Sequence, residues 1–170
     1  AAEDIYYSAP GKSDADLKGA FGECVLIADS LGEIARIEAL AAERDMIAEI
    51  GVRINPSFAM NGGPGLAGKF GIDEEQFTAE YDRLCALPHV RIVGLHLHVK
   101  SQELDPAILR GYYQRAFELA ARLGLPLKFL NLGSGIGIPY APEDRELDIE
   151  SLGEVVCGLI AEYAARLGNP

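Results

Sequence analysis

Two histidines at the end of an apolar run are the first residues in this sequence with the chemistry of a functional site. The run is GLHLHVKSQ, residues 94–102. In a β-strand, side chains alternate between the two faces, so His96 and His98 would share one face and the leucines the other. Such imidazoles can stack on a ring, exchange protons or bind a metal. Metal binding is the weaker interpretation, because the third histidine, His89, lies at the opposite end of the strand.

A second candidate site is the glycine-rich run LGSGIGIPY, residues 132–140, which follows another apolar stretch. Alternating glycines allow backbone N–H groups to surround an anion, as in phosphate-binding loops. The same pattern also suits a turn that needs positive φ. A Rossmann dinucleotide site is excluded, because Pro139 and the charged segment 143–146 interrupt the helix that should follow at once.

The elements that must position these residues alternate between short apolar runs and capped amphipathic segments, a pattern typical of βα units with parallel strands. We predict strands at residues 5–7, 24–27, 50–54, 90–99 and 127–132, and a working loop at 61–68. N-cap patterns at Ser13, Ser30, Asp73 and Asp105 mark helix starts. Five such units fit an open doubly wound sheet or part of an eight-unit barrel. The polar residues at the strand ends favour a partial (β/α)8 TIM barrel.

Composition and charge exclude several classes of protein. The chain has 170 residues, with 15 Lys and Arg against 26 Asp and Glu, for a net charge of −11. This charge gives no electrostatic basis for binding nucleic acid or an anionic membrane. We find no apolar stretch of transmembrane length and no signal-peptide pattern, so we expect a cytoplasmic protein. The three cysteines are expected to be reduced thiols packed in the core.

Four motifs, in this chain order, resemble the barrel domain of the alanine-racemase-like (fold type III) pyridoxal-phosphate decarboxylases. They are RINP at 53–56, KFGI at 69–72, GLHLHVKSQ at 94–102 and LGSGIGIPY at 132–140. SAPGKS at 8–13 and ADS at 28–30 extend the likeness over essentially the whole chain. Diaminopimelate decarboxylases are the most similar members. The resemblance implies pyridoxal 5′-phosphate as cofactor, decarboxylation of meso-diaminopimelate to L-lysine, and a homodimer for the full-length enzyme.

The resemblance also implies roles for individual residues. His98 would lie flat against the pyridine ring of the cofactor, and Arg53 would support that ring from below. Ser101 and the backbone of Gly133 and Gly135 would bind the cofactor phosphate. These five residues are the predicted cofactor site.

The sequence departs from the family pattern in two places. Lys100 occupies a position where the family usually has a small residue, commonly glycine. The lysine that holds the cofactor as a Schiff base has no counterpart here, since Lys12 follows a strand but lies in a context that resembles a later family segment. We therefore expect residues 1–170 to be a fragment of the cofactor-binding barrel domain, without its first strands and without the C-terminal β domain. The fragment alone is expected to be inactive.

Three alternative functions stay open on the sequence. The first is an ornithine- or arginine-type decarboxylase of the same family. The second is a non-catalytic pyridoxal-phosphate-binding barrel protein, which would need no residues from a partner. The third is a metal-dependent barrel hydrolase that uses His96 and His98, for which metal analysis is the test.

Overall fold

The computed structural model describes residues 1–133 and 135–167, so that Ser134, in the glycine-rich run, and residues 168–170 lie outside the described residues. The strands are β1 (Tyr6–Tyr7), β2 (Val25–Ala28), β3 (Ala48–Asn55), β4 (Ile72–Asp73), β5 (Val90–Leu97) and β6 (Phe129–Asn131). The α-helices are α1 (Asp14–Ala20), α2 (Leu31–Glu43), α3 (Glu74–Cys85), α4 (Pro106–Leu123) and α5 (Ile149–Tyr163). A short 3-10 helix, Ala2–Asp4, precedes β1.

The described strands form one parallel sheet in the order β1-β2-β3-β5-β6. Helices connect successive strands of this path, as the alternating pattern predicts. The two-residue strand β4 pairs with the end of β3, after the loop at 56–71. The sequence did not predict β4, because two residues are too few to show a period.

The sheet is strongly curved. Tyr6 in β1 and Phe129 in β6 lie on the two outermost strands of the main path, yet their ring centroids are 4.6 Å apart. In a flat sheet, four inter-strand spacings would separate these strands by roughly 19 Å. The contact across the concave face therefore confirms the partial TIM barrel and rules out the doubly wound alternative.

Two glycines make room for Phe129 inside the barrel. Gly51, Gly94 and Phe129 lie in one row across β3, β5 and β6. A Cβ atom at Gly94 would lie 2.1 Å from the Phe129 ring, and one at Gly51 would lie 2.8 Å from it. Glycine inside a strand is unfavourable unless another group needs the space, as the ring does here.

The helix ends follow local chemistry at most predicted positions. The Ser30 hydroxyl accepts a hydrogen bond from Glu33 N, and the Asp105 carboxylate accepts one from Ala107 N. Gly124 ends α4 in the left-handed conformation at φ 64°. These three caps are confirmed.

Three local predictions are wrong. Asp73 precedes α3 but makes no side-chain cap; its carboxylate instead accepts a hydrogen bond from Asn55 Nδ2 at 2.7 Å. The strand predicted to run to residue 99 ends at Leu97, where the chain turns into the loop that carries His98. Cys85 and Cys157 are exposed and not packed in the core.

Among the described helices, none has both the length and the apolar character needed to cross a bilayer.

Candidate functional site

A polar row crosses the barrel interior one level above Phe129, toward the carboxyl ends of the strands. Arg53 in β3 pairs in register with His96 in β5, and His96 pairs with Asn131 in β6. Asp29, which follows β2, accepts a hydrogen bond from Arg53 Nη1 at 3.3 Å. Arg53 and His96 are both less than a tenth exposed. The prediction that His96 faces the interior is thus consistent with the register.

His96 is held in its neutral form. Its pKa is lowered from 6.5 to about 4, by burial first and then by the positive charge of Arg53 and the neighbouring His98, while Asp29 acts in the opposite direction. Its Nδ1 atom is buried and has no hydrogen-bond partner among the described residues. A neutral imidazole beside a guanidinium adds no second positive charge to this row.

His96 should make the stability of the protein depend on pH. Its folded pKa of about 4 lies below the ordinary 6.5, so the unfolded chain takes up the proton first as the pH falls. Its contribution is complete above pH 6.5 and is lost as the pH falls toward 4; the pKa difference corresponds to on the order of 3 kcal/mol. Urea unfolding at several pH values should give a shallower loss of stability for His96→Gln than for the parent. Equal slopes for the two proteins would contradict the assignment.

His98 lies just beyond the end of β5, with both ring nitrogens engaged. Nδ1 lies 3.1 Å from Gly133 O, and Nε2 lies 3.2 Å from Ser101 Oγ. A carbonyl oxygen only accepts hydrogen bonds, so we assign the ring proton to Nδ1, and Nε2 then accepts from the Ser101 hydroxyl. Two loops therefore hold the edges of the ring, and the ring borders a cleft.

The segment 98–103 is hydrogen-bonded to the described residues of the glycine-rich run. Glu103 N donates to Gly135 O, and Gly137 N donates to Glu103 O, both at 2.9 Å. Gly133 and Gly135 have φ values of 59° and 70°, and a Cβ atom on either would lie 2.1 Å from a carbonyl oxygen of the facing segment, that of Leu97 or Lys100. The glycines thus allow two backbones to approach closely.

The amides of the two glycines already have acceptors within the chain. Gly133 N donates to Asn131 Oδ1 at 2.9 Å, and Gly135 N donates to Gly133 O at 2.7 Å. An anion at these amides would have to share or replace those bonds.

Lys100, the departure from the family pattern, is paired. Its Nζ atom donates to Glu103 Oε2 at 2.7 Å, while Glu103 Oε1 accepts from the backbone N–H groups of Leu104 and Asp105. These contacts, that with Lys100 foremost, hold the pKa of Glu103 below its usual value. The Lys100 charge is therefore matched by a carboxylate of its own loop.

The cleft beside His98 has a volume of about 350 Å³. Charged, aromatic and aliphatic side chains line it, including Arg53, Lys69, Phe58, Phe70 and Val99. The Arg53 guanidinium carbon lies 5.0 Å from the centre of the Phe70 ring. This volume falls in the range of small-molecule sites, and its lining suits a flat anionic ligand.

The loop 56–71, which supplies much of this lining, is anchored at several points. Asn55 Nδ2 donates to Leu66 O at 3.1 Å, and Arg115 Nη1 donates to Gly62 O at 2.9 Å. The buried Glu74 carboxylate accepts from Ser57 and Arg122. Burial alone would raise the pKa of Glu74, but these hydrogen bonds outweigh burial and hold it below its usual value.

Sequence reasoning did not identify two contacts of Arg53 as members of the site. Asp29 binds Arg53, and Phe70 stacks against it. Both lie in motifs quoted for the resemblance, ADS at 28–30 and KFGI at 69–72, so the signal was present. Their link to Arg53 depends on contacts between distant segments, which the motifs alone do not show.

The arrangement gives little support to a metal centre. In the ranges 1–133 and 135–167, no three His, Cys, Asp or Glu side chains converge in a way that could hold a metal ion. Both nitrogens of His98 are engaged by the protein. Lys12 is also not a cleft residue, because its amine is buried against Glu33.

Comparisons with known proteins agree with this geometry. A diaminopimelate decarboxylase from Aquifex aeolicus is 29% identical over 97% of this chain and 42% of its own length. The L-glutamyl-[BtrI acyl-carrier protein] decarboxylase of Niallia circulans is 31% identical over 95% of this chain and 40% of its length. The crystal structure of M. jannaschii diaminopimelate decarboxylase with L-lysine superimposes on this chain with a TM-score of 0.84 at 22% identity. The superposition covers 99% of this chain and 42% of the M. jannaschii chain. The chain thus spans about two fifths of the length of these relatives.

The family described as pyridoxal-dependent decarboxylase, pyridoxal binding domain, matches residues 1–170. The family resemblance found in the motifs is thereby confirmed. With a matching curved parallel sheet and a cleft at its carboxyl edge, the chain belongs to the pyridoxal-dependent decarboxylases, in their pyridoxal binding domain.

Proposed function

We propose that the protein carrying this chain is a pyridoxal-phosphate-dependent amino-acid decarboxylase that converts meso-diaminopimelate to L-lysine. Residues 1–170 form part of the barrel that binds the cofactor. One observation carries the proposal: His98 and Arg53 both line a cleft of about 350 Å³ at the carboxyl edge of the barrel, and the Ser101 hydroxyl lies 3.2 Å from His98 Nε2.

The residues present fit this cofactor. A flat aromatic ring with a phosphate needs a surface for stacking, a cation and a hydroxyl donor. His98 offers a ring whose edges are fixed, and Arg53 offers a buried cation. The Ser101 hydroxyl donates to His98 Nε2, so it would have to give up that bond to donate to a phosphate. The predicted roles of these residues, and of the backbone at Gly133 and Gly135 in phosphate binding, are part of the proposal.

The chemistry that this cofactor supplies when bound is an electron sink for the pair released as a carboxylate leaves as CO2. The chain's own residues bind and orient. His98 would orient the pyridine ring of the cofactor, because Gly133 O and Ser101 Oγ restrain the two nitrogens of the His98 ring. Phe58, Phe70 and Leu66 give the cleft an apolar lining beside the Arg53 guanidinium. Arg53 is paired with Asp29, and neutral His96 adds no second positive charge beside it.

The substrate rests on the relatives. Several of the matching proteins are named diaminopimelate decarboxylases. Another matching relative is named for decarboxylation of a glutamyl group on an acyl-carrier protein. A homodimer and a Schiff-base lysine outside residues 1–170, which follow from the resemblance, and a cytoplasmic location, which is expected from the sequence pattern, complete the proposal.

Assay of CO2 release by the full-length protein tests this function. With pyridoxal 5′-phosphate and equal concentrations of meso-diaminopimelate, L-ornithine, L-arginine and L-lysine, we expect turnover with meso-diaminopimelate alone. Preference for L-ornithine or L-arginine would replace the substrate, and binding of the cofactor without any release of CO2 would favour the non-catalytic alternative.

Residues 1–170 on their own should release no CO2, because the chain has no lysine in the family's context for covalent attachment. The same assay, with saturating cofactor, measures this directly. Robust turnover by residues 1–170 would contradict the proposal and would assign the covalent role to Lys12.

A further inference from the structure

A buried ion pair lies outside the cleft and has no part in the functions described above. Lys12 Nζ is 2.9 Å from Glu33 Oε2, and the two side chains are 0% and 2% exposed. Lys12 follows β1, and Glu33 lies in the first turn of α2. Taking two charges out of water costs about as much as their attraction returns, so such a pair is weak evidence for a purely stabilising role.

Both charged groups bind the backbone at the end of β2. Lys12 Nζ donates to Ile27 O at 2.7 Å, and Glu33 Oε2 accepts from Asp29 N at 2.7 Å. These two backbone groups flank Ala28, the last residue of the strand. The pair therefore fixes the turn from which the Asp29 side chain extends.

Arg53 depends on that turn. Of the acidic side chains in the described part of the chain, Asp29 is the one within ion-pair distance of Arg53. Arg53 in turn lies beside His96 in register and against the Phe70 ring in the cleft. A shift of Asp29 would move the guanidinium relative to both.

We propose that Lys12 and Glu33 are positioning residues that hold Arg53 against His96 and the cleft through the backbone of Asp29. Only the effect on cofactor binding rests on the proposed function. The effect on the surroundings of His96 concerns the protein without cofactor.

The test replaces the pair in the full-length protein with apolar side chains of similar size, Lys12→Met together with Glu33→Leu. Such a swap leaves no buried charge unpaired, so the variant should fold and melt near the parent temperature. With both bonds to the strand end lost, Arg53 should move away from His96. NMR titration of histidine-labelled protein without cofactor, with His96→Gln for assignment, should then show a His96 pKa above that of the parent, because burial still lowers it but the charge of Arg53 no longer does. The Kd for pyridoxal 5′-phosphate should rise roughly tenfold.

A matched control lies on the same helix. The Glu38 carboxylate accepts from His89 N at 3.1 Å and lies 2.9 Å from His89 Nδ1, at the opposite end of the barrel. Glu38→Leu should lower the melting temperature and leave the His96 pKa and the cofactor Kd unchanged. An unchanged His96 pKa in the folded double variant overturns the inference. A raised His96 pKa with unchanged Kd supports it and contradicts the cofactor role of Arg53 in the proposed function.

Two further double variants give an independent answer if the variant with Lys12→Met and Glu33→Leu does not fold. Lys12→Met with Glu33→Gln retains an oxygen that can accept from Asp29 N, whereas Lys12→Met with Glu33→Met does not, and neither leaves a buried charge unpaired. We expect the Glu33→Gln form to keep the parent His96 pKa and the Glu33→Met form to raise it. Equal values in the two variants would overturn the inference.

Discussion

Replacing Gly135 with alanine is expected to weaken binding of pyridoxal 5′-phosphate by at least roughly tenfold and to cost about 3 kcal/mol of stability. Gly135 has a φ of 70°, and a Cβ atom there would lie 2.1 Å from Lys100 O. The backbone cannot retreat, because Gly135 O accepts from Glu103 N at 2.9 Å. The added methyl group must therefore separate the loop that carries His98 and Ser101 from the loop that carries Gly133 and Gly135. Urea unfolding and a fluorescence titration with the cofactor measure the two effects.

Gly124 provides the control for this substitution. It ends α4 with a φ of 64°, and a Cβ atom there would meet nothing within 4 Å. Gly124→Ala should therefore cost only the backbone strain of a left-handed residue, about 1 kcal/mol, and leave cofactor affinity unchanged. If Gly135→Ala is no more damaging than Gly124→Ala, the close approach of the two loops is not what requires glycine.

The glycine run shows what the sequence could and could not predict about the site. Its alternation predicts a backbone of unusual conformation, and the positive φ values of Gly133 and Gly135 agree. The physical reason for glycine at these positions differs in part from the expected one, which was the approach of backbone N–H groups to an anion. The space that a Cβ atom would fill belongs to Leu97 O and Lys100 O, more than thirty residues earlier in the chain. No local pattern shows which distant backbone will come that close.

Helix caps follow the same division between local and distant causes. The Ser30 and Asp105 caps join atoms two or three residues apart, so the sequence predicts them. At Asp73 the local pattern is equally good, but Asn55 lies beside the carboxylate and donates to it. The pairing of strands β3 and β4 creates that neighbour. A cap pattern predicts reliably only where no distant donor competes.

The curvature of the sheet also depends on distant contacts. The run of βα units predicts parallel strands, but the same run suits a flat sheet as well as a barrel. What distinguishes them is the row of Gly51, Gly94 and Phe129, in which two strands omit side chains so that a third can fill the interior. Read singly, each glycine is merely an unfavourable residue in a strand.

The two histidines of the GLHLHVKSQ run should respond differently to substitution. His98→Ala in the full-length protein removes the ring that borders the cleft. We expect this change to raise the Kd for pyridoxal 5′-phosphate about fivefold, which is the equivalent of an aromatic contact of about 1 kcal/mol. Turnover should also be slower. His96→Ala leaves a cavity in the buried polar row and should cost about 2 kcal/mol of stability, with little change in that Kd. Thermal melts and cofactor titrations of both variants separate the two effects.

The difference between the two positions is one of depth in the barrel. His96 lies within β5, in register with Arg53 and Asn131, whereas His98 lies past the strand end, where Gly133 O and Ser101 Oγ hold its edges. If the ring face of His98 is what binds the cofactor, His98→Phe should retain more affinity than His98→Ala, since phenylalanine keeps the face and loses only the two edge contacts. If His98→Phe binds as weakly as His98→Ala, the edges matter and the stacking role is wrong. If His98→Ala binds the cofactor as tightly as the parent, neither role belongs to this residue.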